Sequence, residues 1–176
     1  MKRVLEFLDG LGISYKTAAH PPANTMADCA ETDAKMGALT PKNLFLTTKS
    51  GKRHYLCLTR PDARFRTSDI SRQAGSPRLS FAPGDALWEM LRCRPGSASP
   101  LGLIFDEDHR VGLLMDSALR DVPVLGFHPC DNTMTVVMDG EEFFGRFLPA
   151  VGVVPEFVEF HEGEEREQGT GNREQE

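Results

Sequence analysis

The chain has 176 residues and a formal net charge of −6, with 40% hydrophobic and 26% charged residues. That length suits one ordinary domain able to bury a core without staples, and that mixture excludes a wholly disordered chain. No apolar run approaches the roughly 18 residues of a transmembrane helix, and Glu6 and Asp9 interrupt what would have to be a signal core, so a cytoplasmic protein with no membrane partner is expected.

In chain order, "KRVLEFLDGLG" places Val4, Leu5, Phe7, Leu8 and Leu11 at helical spacing and stops in glycines. "ISYKTAAH" alternates as a strand does. A helix follows from Met26 to Met36, with Asn24 or Thr25 as cap and Gly37 as exit. "KNLFLTT" and "RHYLCLTR" flank the polar turn "KSGK" and predict a hairpin. "TSDISRQAG" predicts a short helix capped by Thr67 or Ser68, and "PGDALWEMLRC" another, with Leu87, Met90 and Leu91 inward and Trp88 beside them. "LGLIF", the turn "DEDHR" and "VGLLMD" read as a second hairpin. "VPVLGFHPCDN" is a strand broken at His128-Pro129, and "TMTVVM" is a further strand. "DGEEFFGRFL" predicts a helix with Asp139 and Glu142 as a capping box and Phe143, Phe144, Phe147 and Leu148 as its buried stripe. "PEFVEF" supplies a last strand. The pattern predicts a single α/β (α+β) domain over residues 1–160, a mixed and mostly antiparallel sheet surrounded by short helices, followed by a disordered acidic tail over 161–176.

Charge is unevenly spread. The last 16 residues hold six Glu against two Arg, a net of −4, whereas Lys42 to Arg72 holds eight Lys and Arg against Asp62 and Asp69, a net of +6. An anionic partner is therefore compatible with an acidic chain, although solvated strand faces explain the same charges. Cys29, Cys57, Cys93 and Cys130 lack any metal-ligand or disulfide spacing, which predicts reduced thiols and no metal. No glycine-rich nucleotide cradle is present, and no cofactor is expected.

Three short stretches could carry chemistry. Lys42-Asn43 opens a strand: the lysine offers a cation suited to a phosphate or developing oxyanion, the asparagine can hold a hydroxyl or carbonyl, and both are equally at home as solvated edge groups. Gly96 to Pro100, "GSASP", is a loop of small residues whose backbone amides can approach a substrate closely, or an ordinary turn. His128 interrupts a strand and could act as acid, base or donor, or be structural. "DEDH" reads as a solvated turn rather than a metal site. Ser97 and Ser99 lie outside any G-x-S-x-G elbow, so no hydrolase triad is indicated.

Taken in order, K-N-L-F, G-x-x-x-P and F-H-P-x-x-N, with "RLSFAPGDALWEML" between the first two, resemble the prolyl-tRNA editing family. These are the free-standing deacylases related to the YbaK domain and to the insertion domain of bacterial prolyl-tRNA synthetases. The resemblance runs from Leu5 to Phe160. It implies hydrolysis of a mischarged aminoacyl ester in trans, with Ala-tRNA(Pro) as substrate, the tRNA(Pro) acceptor end and possible association with prolyl-tRNA synthetase as partners, and no metal. The physical need is plain: a pocket built for proline cannot strongly reject a smaller amino acid, because each missing methylene is worth only about 1–3 kcal/mol.

The resemblance further implies that Lys42 anchors the terminal adenosine's phosphate or backbone, that Asn43 helps place it, and that His128 hydrogen-bonds near the terminal ribose. Gly96, Ser97, Ala98, Ser99 and Pro100, with Gly102 just beyond, would hold the aminoacyl group. The attacking water would be helped by the substrate's own 2′-hydroxyl. Lys49, Lys52, Arg53, Arg64 and Arg66 are candidate contacts to the tRNA backbone. Within this class the substrate could instead be Cys-tRNA(Pro) or another small aminoacyl-tRNA. Outside it stand a non-catalytic tRNA- or synthetase-binding module of the same fold and a small-molecule binding domain.

Overall fold

The computed structural model describes residues 1–161; the acidic segment beyond His161, for which disorder was expected, lies outside the described residues. Helix α1 (Lys2–Gly10) buries Val4 and Leu8, and strand β1 (Tyr15–Ala19) follows. Helix α2 (Met26–Met36) begins at Thr25, whose hydroxyl accepts from the Asp28 amide while the Asp28 carboxylate accepts from the Thr25 amide, and ends on Gly37 at φ 63°. Strands β2 (Lys42–Thr48) and β3 (His54–Thr59) form the expected hairpin, with Lys42 opposite Thr59. Then come α3 (Thr67–Gln73), β4 (Leu79–Phe81), α4 (Gly84–Leu91), a 3₁₀ helix (Pro100–Phe105), β5 (Val111–Asp116), β6 (Val124–Phe127), β7 (Met134–Asp139), a helical run over 140–150 and β8 (Glu156–Val158).

The strands divide over two sheets, an antiparallel one ordered β1-β7-β6 and a mixed one ordered β4-β2-β3-β5-β8. In the mixed sheet β5 runs parallel to both β3 and β8. Its apolar runs are continuous because both faces are covered. Phe45, Leu56, Leu58, Leu113 and Met115 face the main core with α1, α4 and the phenylalanine-rich helix, while Leu46, Cys57, Leu114 and Val158 face a smaller core with Ile70 and Leu79. Leu39 bridges Leu125 in parallel, and the Gly126 amide donates to the Leu39 carbonyl at 2.9 Å, so the chain entering β2 is stitched to the edge of the other sheet. No helix among the described residues is long and apolar enough to cross a membrane.

Four local expectations need correction. "LGLIF" is a 3₁₀ helix rather than the first strand of a hairpin: Pro100 occupies its first turn, Ser99 caps it, and β5 takes its partners from β3 and β8 instead. The N-cap of α3 is Arg66, with no side-chain cap; the Ser71 hydroxyl donates to the Thr67 carbonyl and accepts from the Leu79 amide, fastening α3 to β4. Asp139 forms no capping box, because Glu142 turns to Arg146 at 3.3 Å, and that guanidinium reaches the carbonyls of Leu11 and Gly12 at the end of α1. The helix widens to a π turn over Phe143–Phe147, just before Pro149, which cannot donate to the carbonyl four residues back and crowds it. Trp88, grouped with the inward residues of α4, is 46% exposed.

Candidate active site

A cleft of about 220 Å³ opens where the two sheets meet, lined by residues 23–26 and Cys29 of the α2 entry, Thr40 to Leu44 of the β2 entry, Gly96, Ala98 and His128. Each wall is held by its own local chemistry. The Asp28 carboxylate accepts from the amides of Asn24 and Thr25, at 3.0 and 2.8 Å. The Thr25 amide is the main cause that holds the Asp28 carboxyl below its ordinary range. Asp33, further along α2, accepts from the Thr40 amide at 2.8 Å and its hydroxyl at 2.6 Å, which fixes the chain two residues before Lys42. Gly126 makes room for that clamp: a Cβ there would sit 2.5 Å from Thr40 Oγ1.

Lys42 and Asn43 are the first two residues of β2 and both are half-buried. Strand alternation puts them on opposite faces, Lys42 with Leu44 and Asn43 with Phe45. The Lys42 ammonium forms no ion pair among the described residues. Asn43 Nδ2 donates to the Pro41 carbonyl at 3.0 Å, while its buried Oδ1 accepts from no protein group among them.

Gly96 takes φ 86°, and an added Cβ would lie 3.8 Å from Asn24 Oδ1 and from Asn132 Nδ2. Those two amides bond each other at 3.1 Å, joining the α2 entry to the β6–β7 turn. Gly96 and Ala98 therefore face the cleft. Ser97 and Ser99 do not line it: Ser97 Oγ accepts from the Arg94 amide and donates to its carbonyl, and Ser99 Oγ accepts from the Leu101 amide. Pro100 and Gly102 are buried behind the loop, where a Cβ on Gly102 would meet the Leu91 carbonyl at 2.6 Å.

His128 is 6% exposed. Its Nδ1 lies 3.0 Å from the Met134 carbonyl, which can only accept, so Nδ1 carries the proton and Nε2 is left as an acceptor. Nε2 stands 4.0 Å from the Cys29 sulfur. Burial lowers the His128 pKa and keeps the imidazole neutral at neutral pH, and burial likewise raises that of Cys29, which stays a thiol. His20 packs behind, its ring 5.8 Å from His128 and its Nε2 2.9 Å from Thr135 Oγ1. The α2 entry, Asn24 to Cys29, was missed as a wall of the cleft; nothing in "ANTMADC" signals a site until the fold brings it beside β2.

The basic residues do not form one patch around this cleft. Lys49, Lys52 and Arg53 lie at the β2–β3 turn, a strand length of roughly 20 Å from Lys42, whereas Arg64 and Arg66 follow the end of β3 that pairs with Lys42. Arg60 is structural, its Nε 2.8 Å from buried Asp116. A larger cavity of about 1000 Å³, lined by Val122, Phe144, Val154 and Phe157 among others, lies apart and contains none of the predicted site residues.

Residues 20–144 match the family model described as the aminoacyl-tRNA editing domain. A prolyl-tRNA editing protein, ProX, of Acetoanaerobium sticklandii is 33% identical over 139 residues, covering 79% of this chain and 85% of its own. Prolyl-tRNA synthetase associated domain-containing protein 1 of Mus musculus is 31% identical over 157 residues, covering 87% and 92%. A solved structure provisionally described as a trans-editing enzyme for prolyl tRNA synthetase superposes with a TM-score of 0.70 at 20% identity, over 92% of this chain and 96% of that one, and so shares the fold. On the family match and the ProX identity together, the chain belongs to the aminoacyl-tRNA editing domain family and is an aminoacyl-tRNA deacylase, a hydrolase of the ester bond.

Proposed function

We propose that this protein clears mischarged tRNA(Pro) in trans, with Ala-tRNA(Pro) as its substrate and prolyl-tRNA synthetase as the enzyme whose errors it removes. The observation that carries the reading is the convergence of Lys42, Asn43, Gly96, Ala98 and His128 on one small cleft, drawn from three separate stretches of chain. The names of ProX and of the synthetase-associated relatives point to the same tRNA.

The chemistry follows from what the cleft offers. Its only thiol among the described residues, Cys29, lies 4.0 Å from His128 Nε2, but burial raises the pKa of the thiol and lowers that of the imidazole, so a thiolate–imidazolium pair is disfavoured and attack by water is favoured. Water adds to the ester carbonyl, the bond to the ribose 3′ oxygen breaks, and that oxygen takes the proton, relayed by the neighbouring 2′-hydroxyl. His128 Nε2 accepts a hydrogen bond from a ribose hydroxyl, and the half-buried Lys42 ammonium holds the phosphate or the developing negative charge. Backbone amides around Gly96 and Ala98 border the aminoacyl group. At about 220 Å³ the cleft is smaller than the roughly 300–1,000 Å³ usual for small-molecule pockets, which suits a short side chain and disfavours a bulkier one.

The test is to incubate the protein with tRNA(Pro) carrying Ala, Cys, Ser or Pro. Ala is expected to be released and Pro spared. Survival of all four esters at enzyme excess would rule the reading out, and faster release of Cys than Ala would reassign the substrate.

A further inference from the structure

A tryptophan, Trp88, 46% exposed and belonging to neither hydrophobic core, stands beside the loop that borders the cleft. Helix α4 ends at Leu91, and Arg92 follows at φ 54°, its amide donating to the Trp88 carbonyl at 3.1 Å. This reversal lays Arg92 and Arg94 against the indole, their guanidinium carbons 5.8 and 5.5 Å from the ring centroid. Both arginines are exposed and neither forms an ion pair among the described residues. The nearby acids of α4 are engaged elsewhere, Glu89 with Arg110 at 2.9 Å and Asp85 with the Ala86 amide at 2.9 Å.

The platform is fastened to the cleft. The Arg94 carbonyl accepts from the Ser97 amide at 2.9 Å and from its hydroxyl at 3.0 Å, closing a tight turn. Within that turn Pro95 packs on Gly84 at the start of α4, and Gly96 reaches the cleft wall. Gly96 lies two positions after Arg94, at most about 7 Å of chain. The ring therefore lies within reach of the nucleotides that precede one whose end enters the cleft.

We infer that Trp88, Arg92 and Arg94 bind the unpaired nucleotides preceding the terminal adenosine, a base stacking on the indole and the guanidiniums meeting the flanking phosphates. An exposed ring flanked by unpaired guanidiniums is the chemistry of single-stranded nucleic acid binding, where stacking tolerates any base and arginine supplies the charge. The inference rests on the deacylase reading above, which supplies the strand its direction.

Trp88 is the single tryptophan of the chain, so intrinsic fluorescence reports on this ring alone. The full chain is titrated with a four-nucleotide single-stranded RNA ending in CCA and with a blunt RNA duplex. Saturable quenching by the single strand and none by the duplex is expected, with Arg94→Gln lowering the salt slope of binding by about 0.7. In deacylation, Trp88→Ala raises KM about 5- to 150-fold, the loss of one stacked base, and Trp88→Phe recovers most of it. An unquenched indole, or Trp88→Ala with the parent's KM, overturns the inference while leaving the deacylase intact. Quenching by the single strand from a parent chain that hydrolyses no ester supports the platform and overturns the proposed chemistry instead.

Discussion

The Nδ1 of His128 is committed to the carbonyl of Met134, 3.0 Å away across the β6–β7 turn, so the nitrogen left for a substrate is an acceptor on a buried, neutral ring. This pairing decides what the residue can do. A buried imidazole with a lowered pKa is a poor proton donor at neutral pH, and the proposed mechanism uses it only to receive a hydroxyl hydrogen.

The pH dependence follows with a definite sign. Burial, the largest cause, lowers the pKa of His128 below its ordinary 6.5, so the unfolded chain binds the proton more readily than the folded one. Stability is unaffected by this group above about pH 6.5 and declines as pH falls from there to the folded value. His54, lowered by burial in the same way, adds to the slope. Urea unfolding between pH 7.5 and 5 should show falling stability, and His128→Gln should flatten the curve in part. Deacylation at saturating substrate should fall off on the acid side in the parent.

Gly126 tests whether the seam between the sheets positions the site. A Cβ there would lie 2.5 Å from Thr40 Oγ1 and 3.2 Å from Thr135 Cγ2, both on buried residues. Gly126→Ala should cost about 1–3 kcal/mol in denaturant unfolding, the usual penalty of overpacking. Because the displaced Thr40 lies two residues before Lys42, folded protein should also lose activity; full activity with lowered stability would show that the clamp to Asp33 does not set the lysine.

Asp116 anchors the C-terminal end of the fold. Its buried carboxylate accepts from Arg60 Nε at 2.8 Å and from the Ala118 amide at 3.0 Å, and Arg60 also reaches the Phe160 carbonyl. Asp116→Ala leaves a partly buried guanidinium without its carboxylate and should destabilise by about 3 kcal/mol. A shift in urea midpoint smaller than that of a typical surface substitution would place the holding force in β8 packing alone.

Where local pattern and tertiary packing agree, the elements were legible: a cap at Asn24 or Thr25, the polar turn between β2 and β3, and the terminal glycine of α2 all announce themselves over a few residues. The misreadings share another cause. "LGLIF" is apolar on every side because it is buried, and burial alone does not distinguish a 3₁₀ turn after Pro100 from a strand. Asp139 and Glu142 have the spacing of a capping box, but Arg146 offers Glu142 a partner that also ties down α1. Period-2 alternation placed Lys42 and Asn43 at a strand mouth without revealing what faces them. That required the Leu39–Leu125 bridge, a contact 86 positions apart, which brings α2 and His128 to the same cleft. Ser97 and Ser99 looked available in a small-residue loop, whereas their hydroxyls hold the loop's own amides.

The most direct test of the central claim is single-turnover hydrolysis of Ala-tRNA(Pro) by the parent and by Lys42→Ala, with unfolding measured in parallel. Lys42 carries no ion pair among the described residues and is half-buried at a strand end, so its removal should leave the urea midpoint nearly unchanged. Losing a charge-assisted contact worth about 1.5–3 kcal/mol should slow hydrolysis by roughly 10- to 150-fold. Hydrolysis by Lys42→Ala at the parent's rate would contradict the assignment of this cleft as the aminoacyl-end site.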